Sequence, residues 1–194
     1  MARKDLPKYT VPSLTAEDGA KVATVLQTRL DALNDLALTL KHIHWNVVGP
    51  HFIAVHEMLD PQVDAVRLMV DAIAERIATL GAAPVGTPGA LVKNRTWDDY
   101  SIGRAGAIEH LGALDQVYVG VITDHRQAAA DTEELDTVTN DLLVGHLHEL
   151  ELFHWFVRAH LESSGGSLST GSSHTETGAA RAAGGAARKA SEAR

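Results

Sequence analysis

Thirty consecutive residues, His51 to Leu80, keep one helical phase throughout, and this constrains the chain more than any other feature. In HFIAVHEMLDPQVDAVRLMVDAIAERIATL, a turn of about 100° per residue gathers Val55, Leu59, Val66, Ile73, Ile77 and Leu80 on one face. Gln62 falls among them as a polar misfit. With His56 set at zero, Asp60, Asp71 and Glu75 fall at about 40°, 60° and 100°. One imidazole and three carboxylates thus share a stripe about 150° from the apolar face. Such a stripe is either a solvated charged face or half of a site that something outside the monomer completes. Pro61 costs the helix one hydrogen bond and bends it, or else Asp60-Pro61 caps a new helix. The unbroken apolar phase favours one bent helix.

Asp60 and Asp71 stand about 16 Å apart along such a helix, too far to share a metal within one chain. The two pairs are nevertheless symmetric: His56 with Glu75, and Asp60 with Asp71, both centre between Ala65 and Val66. A twofold axis there lays two copies antiparallel, so that each His56/Asp60 pair meets the Asp71/Glu75 pair of the other copy. Val63, Val70 and Ala74 border the stripe and are placed to pack across that axis. Imidazole mixed with carboxylate suits iron or manganese. The chain has no cysteine, which excludes disulfides, zinc–thiolate and iron–sulfur sites, and thiol nucleophiles.

The rest of the pattern is helical too. A first helix begins at Thr15, spaced with Asp18 as a capping box, and carries Val22, Val25, Leu26, Leu33, Leu36, Leu40 and Ile43 at three- and four-residue intervals to Val48-Gly49-Pro50. Residues 81–96 are rich in Gly and Pro and form a loop with one short turn or helix around Leu91. Further helices are expected over about 101–130 and about 134–162. Four long helices without a convincing strand predict an all-α four-helix bundle over residues 15–164, preceded by an arm, residues 1–14, with Arg3, Lys4 and Lys8. Residues 165–194 hold Gly, Ala and Ser with almost no large apolar side chain, so a flexible tail is expected. The tail carries Arg181, Arg188, Lys189 and Arg194 against Glu176 and Glu192, net +2, leaving −10 on the remainder. A whole-chain charge of −8 disfavours a compact nucleic-acid reader. No apolar run is long enough for a membrane span, and MARKDLPKYT lacks the apolar stretch of a secretory signal. A cytoplasmic protein with no membrane partner is expected.

The motifs themselves carry a resemblance. Lys41-His42-Ile43-His44-Trp45-Asn46-Val47-Val48-Gly49-Pro50, then Phe52-Ile53-Ala54-Val55-His56-Glu57-Met58-Leu59-Asp60, then Asp71-Ala72-Ile73-Ala74-Glu75-Arg76, is similar to the signature of the Dps mini-ferritins, of the type with a long C-terminal tail. Glu149 to Phe156 resembles that family's last helix. The resemblance spans roughly residues 10–165. It implies a ferritin-like four-helix subunit, a hollow homododecamer with 23 symmetry, and ferroxidase sites between twofold-related subunits. It adds His44, which the helical wheel does not place, to give His44, His56 and Asp60 from one chain with Asp71 and Glu75 from the other. It further implies oxidation of Fe(II) by hydrogen peroxide or, more slowly, dioxygen, iron storage in the cavity, and protection of DNA in the cytoplasm or at the nucleoid.

Other assignments stay open at this stage. Trp45 is either an electron donor or a packing residue, and Glu57 and Arg76 are either partners of the ligands or surface charges. Asp136 and Asp141, with Asp131, Glu133 and Glu134, either line an acidic threefold pore for iron or form a soluble helix N-terminus. His146, His148, His154 and His160 read as structural or solvent-facing; His51, His110 and His125 have no evident partner. Non-specific DNA contacts are expected from Arg181, Arg188, Lys189 and Arg194, or from the N-terminal arm. Two competing readings are a DNA-compacting structural protein with secondary metal binding, and an ordinary ferritin with a diiron site inside each bundle. The latter needs two Glu-x-x-His pairs, and only Glu151/His154 has that spacing.

Overall fold

The computed structural model describes residues 6–192, so Arg3, Lys4 and Arg194 lie outside the described residues. Four long helices carry the fold: α1 (Ala16–Asn46), α2 (Phe52–Thr79), α4 (Ala107–Glu133) and α5 (Thr137–Ala159). Thr15 caps α1, its hydroxyl oxygen accepting from the Asp18 amide at 3.1 Å. The Asp18 carboxylate accepts in turn from the Thr15 hydroxyl at 2.7 Å, closing the expected box through side chains. α2 continues without interruption through Pro61, as its apolar phase requires. α1 and α2 form an antiparallel hairpin, α4 and α5 a second. The crossover between them carries the short α3 (Pro88–Asn94) around Leu91.

Two details depart from the sequence reading. Two-residue strands β1 (Val47–Val48) and β2 (Ala105–Gly106) pair in parallel, tying the end of α1 to the start of α4. α4 begins six residues later than expected, because residues 97–104 are held as a loop instead. Within that loop the Trp97 indole donates to Asp35 at 2.8 Å, and the Arg95 guanidinium spans Asp35 and Asp99.

The core runs the length of the bundle through Leu26, Leu33, Leu40, Leu59, Val66, Ile73, Leu111, Leu114, Leu143 and Leu150. Gln62, the misfit of the apolar stripe, is buried with cause: its amide oxygen accepts from the Tyr118 hydroxyl at 2.7 Å. The bond satisfies the amide oxygen and the Tyr118 hydroxyl, while the Gln62 amide nitrogen stays buried without a partner.

The C-terminal segment contradicts the expectation of a flexible tail. Thr170, buried, donates to Asp115 at 2.7 Å, and a further helix, α6 (Glu176–Glu192), lies along α4. Its buried face is Ala179, Ala180, Ala183 and Gly184. Backbone proximity substitutes for large side chains: a Cβ on Gly112 of α4 would sit 2.6 Å from the Ala179 carbonyl oxygen. Glu176 accepts from the Ser101 amide and hydroxyl at 2.7 and 2.8 Å. Alanine is the best helix former, and a helix of small residues packs wherever its partner also offers a glycine. Among the described residues no helix is long and apolar enough to cross a membrane.

Candidate metal centre

The end of α1 and the start of α2 meet at two histidines that fix each other. His44 Nδ1 donates to the His56 carbonyl at 2.9 Å, and His56 Nδ1 donates to the His44 carbonyl at 2.9 Å. A carbonyl can only accept, so both imidazoles carry their proton on Nδ1. Both Nε2 lone pairs are thereby left for a ligand. The rings stack at 3.6 Å between centroids.

Asp60 stands beside them, with Oδ1 3.3 Å from His44 Nδ1 and 2.6 Å from Lys41 Nζ. The hydrogen bond from Lys41 holds the Asp60 carboxyl below its usual range, so it is an anion at neutral pH. Its second oxygen remains available. His44, His56 and Asp60 are thus brought together within one protomer. Asp71 and Glu75 are exposed further along α2, about 16 Å from Asp60 by helical rise. Among the described residues no three His, Cys, Asp or Glu side chains are arranged to hold a metal within the chain.

The surface around these residues is unusually apolar. Ile53 and Leu68 lie on the same stripe of α2 as the carboxylates and are exposed, Leu68 by 72%. On α1, Leu38 and Trp45 flank Lys41 at helical spacing and are exposed too, Trp45 by 72%. Large apolar side chains interleaved with candidate ligands mark a face that another molecule covers. Val63, expected at the border, is instead in the core.

Arg76, next to Glu75 in the chain, is not a free surface charge. It crosses to α5, donating from Nη2 to Asp136 at 2.5 Å and from Nε to Thr139 at 3.0 Å. Burial opposes ionisation of Asp136, but hydrogen bonds from Arg76 and Thr139 outweigh it and hold the carboxyl below its usual range. Asp136 is therefore occupied inside the fold, whereas Asp141, Asp131, Glu133 and Glu134 are exposed. Glu57 is exposed, as is His148. His154 pairs with Asp115 at 2.7 Å, and His110 meets the Tyr100 hydroxyl at 3.1 Å. Arg181, Arg188 and Lys189 are exposed on α6, with Arg188 3.6 Å from Glu109. Lys8 is exposed in the arm.

Comparison with known proteins places this geometry in context. The ferritin-like domain family matches residues 23–164. The chain is 57% identical over 171 residues to the DNA protection during starvation protein of Mycolicibacterium smegmatis, covering 88% of this chain and 93% of that protein. It is 52% identical over 160 residues to the fine tangled pili major subunit of Haemophilus ducreyi, covering 82% and 85%. The solved structure of DpsA14 from Streptomyces coelicolor is similar with a TM-score of 0.83 at 64% identity, covering 84% of this chain and 97% of that one.

Proposed function

The chain belongs to the Dps family of ferritin-like proteins, and from that premise we propose that it is an iron-oxidising, iron-storing mini-ferritin that protects DNA. Fe(II) is its substrate and its cargo. Two copies related by a twofold axis form two identical ferroxidase sites, each taking His44, His56 and Asp60 from one copy and Asp71 and Glu75 from the other. The observation that carries the reading is the reciprocal imidazole–carbonyl lock of His44 and His56. It prepares two nitrogen ligands beside an ionised carboxylate on an open, apolar-rimmed face, and it leaves the remaining ligands to a second copy.

Each residue has a defined part. The two Nε2 lone pairs and the free oxygen of Asp60 bind Fe(II), Lys41 orients Asp60, and the carboxylates of the second copy neutralise the charge that accumulates on oxidation. Two Fe(II) give up one electron each, and one hydrogen peroxide takes both to yield two hydroxide ions; dioxygen serves more slowly. Fe(III) passes into the cavity of a homododecamer with 23 symmetry, where acidic surface nucleates the mineral. Removing Fe(II) and peroxide together removes the reactants of hydroxyl-radical formation near DNA. Asp141, with Asp131, Glu133 and Glu134, supplies the acidic way in for iron. Arg181, Arg188 and Lys189 on each α6 supply weak, non-specific contacts to DNA that sum over the cage.

The test is size and Fe(II) oxidation measured on one preparation of the full chain, with peroxide and with dioxygen. A cage-sized particle that oxidises Fe(II) faster with peroxide, and loses most of that rate on His56→Ala, is expected. A monomer, or a cage whose rate His56→Ala leaves unchanged, would defeat the proposal.

A further inference from the structure

Halfway along the bundle, two histidines on facing helices have lost solvent without gaining partners. His125 of α4 is fully buried, and neither ring nitrogen has a hydrogen bond; His146 of α5 is nearly so, with Nδ1 unpartnered. Their ring centroids are 5.7 Å apart and the planes tilt by 42°. Three orphaned nitrogens in one core layer are costly unless something unseen satisfies them.

Register identifies a third member of the layer. α2 and α4 run parallel, and the Gln62–Tyr118 bond fixes their level. Seven residues on, two turns in each helix, Met69 stands level with His125. α2 and α5 run antiparallel, and the Arg76–Thr139 bond fixes theirs. Seven residues back on α2 and seven forward on α5 put Met69 level with His146. Two independent bonds thus place the buried thioether of Met69 in the layer of the two imidazoles.

The spacing suits a shared ion. With a metal–nitrogen bond of about 2.0 Å and a ring centre about 1.2 Å further on, two imidazoles on one ion have centroids about 5.2 Å apart at a tetrahedral angle and about 6.4 Å apart when linear. The observed 5.7 Å falls between, near the angle of a three-coordinate site. The donors also select the ion. Two imidazoles and a thioether are neutral, and the nearest fixed charge is the buried Arg29 guanidinium, itself 3.6 Å from Asp124. A divalent cation would add two charges beside Arg29, whose carboxylate neighbour Asp124 is already paired with it and largely exposed. A soft monovalent ion prefers thioether and imidazole and adds a single charge.

We propose that Met69, His125 and His146 form an interior site for one Cu(I) ion per chain, separate from the intersubunit iron ligands. Desolvation pushes His125 down to about 3, helped by His146 and Arg29, and His146 down to about 4. Both rings are accordingly unprotonated at neutral pH, with no proton to expel before binding. A cavity of about 950 Å³ walled by Arg29, Asp124 and Ala128 reaches within one turn of His125.

The experiment is anaerobic titration of the full chain with Cu(I) supplied from a chromophoric chelator, with X-ray absorption of the loaded protein. One Cu(I) per chain with nitrogen and sulfur scatterers is expected. Met69→Leu conserves volume and should weaken binding by about tenfold or more, His125→Phe should abolish it, and His56→Ala should leave it intact. A folded wild type that takes no Cu(I) would overturn the proposal and assign the layer to buried water. Cu(I) lost with His56→Ala would overturn it in favour of the intersubunit ligands. If His125→Phe does not assemble, undiminished affinity in Met69→Leu or a signal without sulfur refutes the site.

Discussion

A twofold site built from two chains makes a quantitative claim about mixtures of damaged subunits. Take His56→Ala and Glu75→Ala. Each homogeneous variant lacks one ligand in every site, so each should lose most Fe(II) oxidation. Neither should unfold: Glu75 is exposed, and His56 contributes one hydrogen bond to the His44 carbonyl at 2.9 Å, about 1 kcal/mol. In a mixed dimer, one site combines both lesions and the other combines His56 of one chain with Glu75 of the other, both intact. Random 1:1 reassortment makes about half of the dimers mixed, each with one good site of two, so about a quarter of the wild-type rate should return. Subunits are dissociated, mixed and reassembled, cage size is confirmed, and the initial rate of Fe(II) oxidation by peroxide is measured. A properly assembled mixture with no recovery would mean that all ligands come from one chain, and the dyad argument would fail.

Three other outcomes follow from the same geometry. Asp141→Asn should slow iron uptake at low Fe(II) without changing stability, whereas Asp136→Ala should lower stability by about 2 kcal/mol through loss of its contacts with Arg76 and Thr139; denaturant melts read against uptake rates separate the two, and equal stability loss would refute the distinction. Below the ordinary histidine pKa of about 6.5 the unfolded chain takes up protons that buried His125 and His146 refuse, so stability, full above that pH, should fall by a few kcal/mol between about pH 6.5 and pH 4; a melt midpoint flat from pH 7 to pH 5 would contradict their burial. Gly112→Val should displace α6, seen as rapid proteolysis within residues 165–192 while the bundle stays folded, and truncation after Ser164 should abolish low-salt DNA shifts by the cage while sparing ferroxidation; DNA binding that survives truncation would move the contact to the N-terminal arm.

What the sequence disclosed was whatever a single helix can disclose. The phase of α2, the cap at Thr15, the turn at Leu91 and the separation of Asp60 from Asp71 are all local, and the structure repeats them. What it withheld depends on pairs distant in the chain. Gln62 makes sense only once Tyr118 lies opposite, and the ion pair of Asp136 appears only once Arg76 reaches it from sixty residues away. His125 and His146 become a pair only through the register of α4 on α5. α6 escaped notice because its face is alanine, which carries little hydrophobic signal, and because Gly112, the groove that admits it, looks like any other glycine until the helix is seen. The proposed twofold arrangement rests on the sequence for the opposite reason: a pattern symmetric about one point lies within one helix.

The docked α6 sets the distance at which this molecule's basic charge can act. A free tail of thirty residues would sweep an end-to-end span of about 30 Å and could hold DNA well clear of the acidic bundle. A helix laid on α4 holds Arg181, Arg188 and Lys189 at the surface, Arg188 within 3.6 Å of Glu109. At physiological salt a charge is felt over only about 8 Å. Phosphates must then come almost into contact with the shell before the cations outweigh the acids around them. Under the proposed function, adhesion to DNA would be a property of close, broad juxtaposition, as between stacked flat surfaces, and not one of capture at a distance.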